Sequence, residues 1–144
     1  MNLLRGPAAR RGLSFDAMGR LLQRNTQQRA AIRQALDDAE GPLSPQQILD
    51  AAQGRVPGLG IATVYRNLRA LLEEGWLREV ELPGAPSRYE PAGRKHHHHF
   101  HCRSCDRVYD LEQCPGTLRS LAPRGFRPEA HDILLSGLCA ACAR

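Results

Sequence analysis

What this chain has little of narrows the field first. Only 5% of its residues are aromatic, three Phe, three Tyr and one Trp. That leaves little material for the stacked platform on which single-stranded nucleic acid is read. No apolar run comes near the roughly 20 residues that cross a bilayer as a helix, so no membrane partner is expected. The segment from Met1 to Gly12 is basic but lacks the apolar stretch of a cleaved secretion signal, and a cytoplasmic location is expected. What remains is 144 residues, 42% hydrophobic and 24% charged, enough for one ordinary domain or two small ones. A formal net charge of +5 and a pI of about 9.3 permit nucleic acid as a partner without requiring it.

Composition changes near residue 90. All five Cys and all six His follow it, whereas the part before it is helical in pattern and rich in Arg and Gln. A boundary is therefore expected between Glu90 and Lys95, giving parts 1–91 and 92–144. In the first part, residues 14–23 predict a short leading helix. Asn25 or Thr26 can cap a second, TQQRAAIRQALDD, with Ala30, Ile32, Ala35 and Leu36 on its apolar side. Ser44-Pro45-Gln46-Gln47 has Ser, Pro and Gln where a capping box places them, which starts a third helix. IATVYRNLRALLEEG predicts a fourth, ended by Gly75. WLREVEL and SRYE, joined across PGAP, alternate as a hairpin does. Helices followed by a hairpin form the winged-helix pattern, the last two helices being the helix-turn-helix and the hairpin the wing. The second part predicts two short strands around a Cys turn in FHCRSCDRVYDL. A short helix bounded by Pro115 and Pro123 and a strand in HDILLSGLC follow. The fold class is thus α+β, with a winged helix before a small α/β part that has little core without metal.

The strongest chemical signal is the pair Cys102-x-x-Cys105 and Cys139-x-x-Cys142. Two intervening residues let one tight turn aim both thiolates at a single ion, and four thiolates select a closed, structural Zn²⁺ site. Buried free thiols or a redox pair are the bland alternatives; two such pairs rarely coincide by chance. The second signal is His96-His97-His98-His99. Alternate residues of a strand face opposite sides, so His97 and His99 face one way and His96 and His98 the other, which predicts two metal positions. Glu90 and Asp110 are candidate oxygen ligands for the first, and His131 is a candidate for the second. The third signal is the recognition helix, where Thr63, Tyr65, Arg66 and Arg69 can face DNA, with Arg24 and Arg29 adding charge nearby.

GIATVYRNLRALLEEG, HHHHFHCRSC and GLCAAC together resemble the Fur family of metal-dependent bacterial repressors, over about Thr26 to Cys142. The resemblance implies a cytoplasmic homodimer on a palindromic double-stranded DNA operator. It also implies a structural zinc on Cys102, Cys105, Cys139 and Cys142, and a regulatory metal on Glu90, His97, His99 and Asp110. The family's additional site falls on His96, His98 and His131. This chain departs from the family at several places. An N-terminal His ligand of iron-type members falls at or beside Pro42. Asp and Cys ligands of zinc-type members fall at Arg78 and Pro91, and an Asp common in the additional site is His98. Cys114 has no counterpart in the pattern, and the long helix of the dimerisation part is shortened.

The expected function is a metal-responsive transcriptional repressor controlling metal-ion uptake genes. Zinc is favoured as the regulatory ion because imidazole dominates the candidate sites, the more so if Cys114 reaches the regulatory site. Iron- or manganese-responsive and peroxide-sensing members are the alternatives. A zinc hydrolase built on His97, His99 and Glu90 is the rival from another class, but no HExxH helix accompanies those residues. No catalytic residue is expected.

Overall fold

The computed structural model describes residues 14–116 and 118–144. Helix α1 spans Phe15–Asp37, α2 Pro45–Gln53 and α3 Ile61–Glu73. The two N-terminal helices expected from the sequence are one. Ser14 caps α1 by accepting from the Ala17 amide at 3.3 Å. Thr26, expected to start a new helix, donates its hydroxyl to the Leu22 carbonyl at 3.0 Å and stays within the turn. The face also differs by one position. Ala30 is exposed, and Ala31 with Gln28 is buried instead.

The rest of the first part follows the pattern. Ser44 and Gln47 form the reciprocal capping box of α2. After α3 the chain turns at Gly75, whose φ of +73° suits a residue without a Cβ. Strands β1 (Leu77–Leu82) and β2 (Ala85–Pro91) pair antiparallel around Pro83-Gly84. Leu43 adds a bridge to Tyr89, with both backbone bonds made at 3.0 and 2.9 Å. Ile32, Leu36, Ile48, Ala52, Val64, Leu68, Leu71 and Leu77 close the core between the three helices and β1. Burying each large aliphatic side chain there contributes about 1.5–3 kcal/mol.

The second part is a three-stranded sheet of β3 (His98–Cys102), β4 (Val108–Leu111) and β5 (Leu134–Gly137). Its order is β4-β3-β5, with β4 antiparallel and β5 parallel to β3. The short helix expected between Pro115 and Pro123 is a single 3-10 turn at Arg119–Leu121. Among the described residues after Pro91, the only buried hydrophobic side chains are Cys102 and Val108. His97 and His98 occupy buried positions that Leu or Val would fill in a larger core.

Backbone and side-chain contacts lock the two parts together. The Asp110 amide donates to the Glu40 carbonyl at 3.2 Å. A Cβ on Gly41 would lie 2.2 Å from the Val108 carbonyl oxygen, so only glycine allows this approach. Arg88 on β2, 2% exposed, reaches the Cys turn and pairs with the Asp106 carboxylate. Asp106 itself has φ 59°, a left-handed conformation that Asp tolerates better than most residues.

Candidate metal centres and nucleic-acid interface

Only His98 and His99 of the His run lie in β3, and His96 and His97 immediately precede it, yet the four side chains alternate in direction. His97 and His99 point one way, toward Glu90 at the end of β2 and Asp110 on β4. His96 and His98 point the other way, toward His131.

In the first cluster, Glu90 Oε2 lies 3.1 Å from His97 Nε2 and 3.3 Å from His99 Nε2. Asp110 Oδ1 lies 3.7 and 3.8 Å from the same two nitrogens. Ligands at zinc–nitrogen and zinc–oxygen distances in a tetrahedron stand about 3.3–3.6 Å apart, so the four atoms are spaced to share one small cation. The surroundings agree. His97 Nδ1 sits 2.6 Å from the Lys95 carbonyl, which can accept a hydrogen bond from Nδ1–H, so that Nε2 is the nitrogen turned toward the two carboxylates. Asp110 Oδ1 is buried and has no hydrogen-bond partner among the described residues. Both features call for a cation. Burial raises the Glu90 carboxyl, but hydrogen bonds from His99, His97 and Arg78 outweigh it and hold the group at about 2. Burial raises Asp110 despite Arg94 beside it.

Two arginines that the sequence did not single out as site residues line this cluster. Arg78 on β1 pairs with Glu90 Oε1, and its second nitrogen lies 3.4 Å from His97 Nε2. Arg94 pairs with Asp110 Oδ2 at 2.5 Å and stands 3.8 Å from Glu90 Oε2. Pro42, where a further family ligand would fall, is fully buried in the Glu40–Leu43 loop and offers no donor.

The four thiols of Cys102, Cys105, Cys139 and Cys142 converge within 4.8 Å of one another. Cys105 Sγ and Cys139 Sγ are 3.9 Å apart, close to the spacing of about 3.8 Å that tetrahedral Zn–S bonds give. None is in a disulfide. The amide of Cys105, followed by that of Cys139, pulls the Cys102 thiol down to about 6, so it ionises readily. Amide donors do the work here because the turn after Cys102 aims its N–H groups at the sulfur.

The third cluster holds a residue the sequence left unassigned. Cys114 joins His96, His98 and His131, with Sγ 3.1 Å from His131 Nε2. It does not join the Glu90 cluster, so it adds no weight to zinc there. The fifth, unpaired Cys was the available signal; its partner was 17 residues away in a stretch without regular structure.

The helix expected to read DNA presents an exposed polar face opposite Val64, Leu68 and Leu71. Tyr65 is 55% exposed, and Arg66 and Arg69 are exposed beside it. Arg66 donates to Thr63 Oγ1 at 2.9 Å, which presets its direction. Arg24 is exposed on α1. Arg29 is tied to Glu74 at the end of α3, so its charge is already neutralised. Among the described residues no helix is long and apolar enough to cross a membrane.

Residues 22–135 match the model of the Ferric uptake regulator family. The Peroxide operon regulator of Bacillus subtilis is 31% identical over 125 residues, 84% of this chain and 85% of that protein. The Zinc uptake regulation protein of Mycobacterium tuberculosis is 32% identical over 122 residues, 83% of this chain and 94% of that protein. Among solved structures, the Helicobacter pylori ferric uptake regulator, described as having three functional metal-binding sites, superposes with a TM-score of 0.65. It is 22% identical and covers 90% of this chain and 91% of that one. A family match over most of the chain, on a winged helix followed by a His- and Cys-rich sheet, makes the protein a member of the Ferric uptake regulator family, a metal-responsive transcriptional regulator rather than an enzyme.

Proposed function

We propose that the chain is a homodimeric repressor of metal-uptake genes whose regulatory ion, zinc by preference, is held by Glu90, His97, His99 and Asp110. The observation that carries this reading is the convergence of those four donor atoms around an unpartnered Asp110 oxygen. Cys102, Cys105, Cys139 and Cys142 hold a structural zinc that supplies folding free energy to a part with almost no core of its own. Residues 1–91 bind the palindromic operator through Tyr65, Arg66, Arg69, Thr63 and Arg24, and residues 92–144 dimerise. Leu121, Phe126, Leu135 and Leu138, all well exposed, supply apolar surface for the partner copy.

The regulatory cluster joins the two parts. Glu90 stands next to last in the wing strand, His99 and Asp110 belong to β3 and β4 of the sheet beyond it, and His97 immediately precedes β3. The cation, when bound, supplies the positive charge that holds these donors together. Glu90 then fixes β2, and with it α3, against the second part, so that two recognition helices of a dimer keep the spacing of two half-sites. A coupling of about 1–3 kcal/mol would change operator affinity by roughly 5- to 150-fold.

The test is a duplex selected from a random library by the metal-loaded protein, then titrated with Zn²⁺, Mn²⁺ or Fe²⁺ at buffered free concentrations. Zinc at low free concentration switches on binding, and His97→Ala or His99→Ala removes the switch while leaving the Cys-bound zinc in place. Activation by manganese or ferrous iron at their physiological levels, with zinc acting only well above its own, replaces zinc by that ion.

A further inference from the structure

The cluster on the opposite side of the His run differs in kind from the Glu90 cluster. It contains no carboxylate and one thiol. His96 and His98 ring centroids are 4.6 Å apart, and each lies 5.0 Å from that of His131. One donor atom from each ring and Cys114 Sγ lie within 4.8 Å of one another. Zn–N and Zn–S bonds in a tetrahedron place N and S about 3.5 Å apart, and the Cys114–His131 pair stands at 3.1 Å. His98 is 2% exposed.

We propose that Cys114 is a thiolate ligand and completes, with His96, His98 and His131, a three-imidazole, one-thiolate site for zinc or a cation of similar softness. The proposal rests on reading the three His residues as a metal site; the thiolate is its new element. A thiolate with imidazoles suits zinc and cobalt and not manganese, magnesium or calcium. The site also ties a long excursion to the sheet. Between Cys114 and His131 the described chain has only the turn at Arg119–Leu121, and Arg119, Arg124 and Arg127 are exposed. An ion on both ends of that excursion closes it against β3.

The experiment uses the full chain, reduced, with zinc retained on its four-Cys cluster, titrated with Co²⁺. A cobalt–thiolate bond gives a near-ultraviolet charge-transfer band that imidazole and carboxylate ligands do not. The expected result is a band that saturates at one added equivalent, survives His97→Ala, and is lost in Cys114→Ser. Zinc should slow tryptic cleavage at Arg119 and Arg124 several-fold in the wild type and much less in Cys114→Ser. No band in the wild type, or a band that persists in Cys114→Ser, overturns the thiolate assignment. If His96→Ala still loses bound cobalt in that case, the His site stands without the thiol. If His96→Ala loses none, the His site fails as well.

Discussion

Arg78 should set how tightly the regulatory cluster holds its cation. Its guanidinium is fixed on Glu90 Oε1 and lies 3.4 Å from His97 Nε2. A metal–nitrogen bond of about 2 Å would therefore leave the guanidinium about 5 Å from an ion on that nitrogen. At an effective dielectric of 20, a single and a double positive charge at that distance repel by about 6–7 kcal/mol. The Arg78 side chain is 44% exposed, so solvent screens much of this, and ~1–3 kcal/mol is a fair expectation. Arg78→Ala should then tighten regulatory metal binding by about 5- to 150-fold. It should also weaken the protein without that metal, because the buried Glu90 loses its ion pair with Arg78 and keeps only His97, His99 and the more distant Arg94. The assay is competition with a chelator for the second class of sites at low ionic strength, alongside thermal unfolding with and without metal. Metal should stabilise the variant more than the wild type, by mass action, and added salt should shrink the difference. Unchanged or weaker metal affinity in Arg78→Ala refutes the electrostatic argument. Arg78 would then be a positioning residue that holds Glu90 for the ion.

Other residues give sharper yes-or-no outcomes. Cys102→Ser or Cys139→Ser should release the tightly held zinc and unfold the second part, and elemental analysis finding no zinc in purified wild type would remove the basis for this. Tyr65→Ala and Arg66→Ala should each weaken operator binding without lowering stability, by about 1–3 kcal/mol if the contact is to a base, whereas Arg29→Ala should change it little because Glu74 already pairs that charge. Gly41→Val should disrupt the junction between the Glu40–Leu43 loop and β4, since its side chain would enter the Val108 carbonyl; wild-type unfolding and metal response in the variant would contradict the close approach. Glu90 ionises well below its ordinary value of 4.5, at about 2. A lowered carboxyl stabilises the fold fully above its unfolded value and loses that contribution as pH falls through its folded one. Its share, roughly 3 kcal/mol, should thus fade between about pH 4.5 and 2 in the wild type and be missing in Glu90→Gln.

The parts of this fold that repeat a short-range rule could be read from residues alone. The capping box at Ser44, the stop at Gly75 and the hairpin around Pro83-Gly84 each depend on a few neighbouring residues. The break expected at Asn25–Thr26 failed for a related reason. A Thr hydroxyl can cap a helix or bond the carbonyl four residues back, and nothing local decides between them. Only the continuation of α1 on its N-terminal side settles the matter. Arg78, Arg94 and Cys114 were harder still. Each acts through a partner brought near by tertiary packing: Arg78 through Glu90 in the cross-strand register of β1 and β2, Arg94 through Asp110, Cys114 through His131. Arg78 in particular stands at a position the family resemblance marks as a ligand, yet carries a charge opposite to a ligand's.

Alternation along one strand does more here than sort side chains into core and solvent. The Glu90 face of the His run, with His97 and His99, is buried or half-buried, whereas the other face pairs buried His98 with exposed His96, and neither is apolar. A run of four apolar residues at these positions would give a small sheet a hydrophobic core; four His give it two polar clusters whose donor atoms converge as metal ligands do. On one side the donors are two imidazoles and two carboxylates, opposed by two guanidiniums. On the other they are three imidazoles and a thiol, with no carboxylate among them. The first set draws all its negative charge from carboxylates that arginine also claims, so its occupancy should follow metal supply and salt. The second has no internal cation to displace and a softer donor, so it should fill at lower free zinc and empty last. A two-step zinc titration, in which protection of the 114–131 segment precedes the switch to DNA binding, is the order this chemistry requires. The reverse order would mean that the guanidiniums yield more easily than their pairing distances imply.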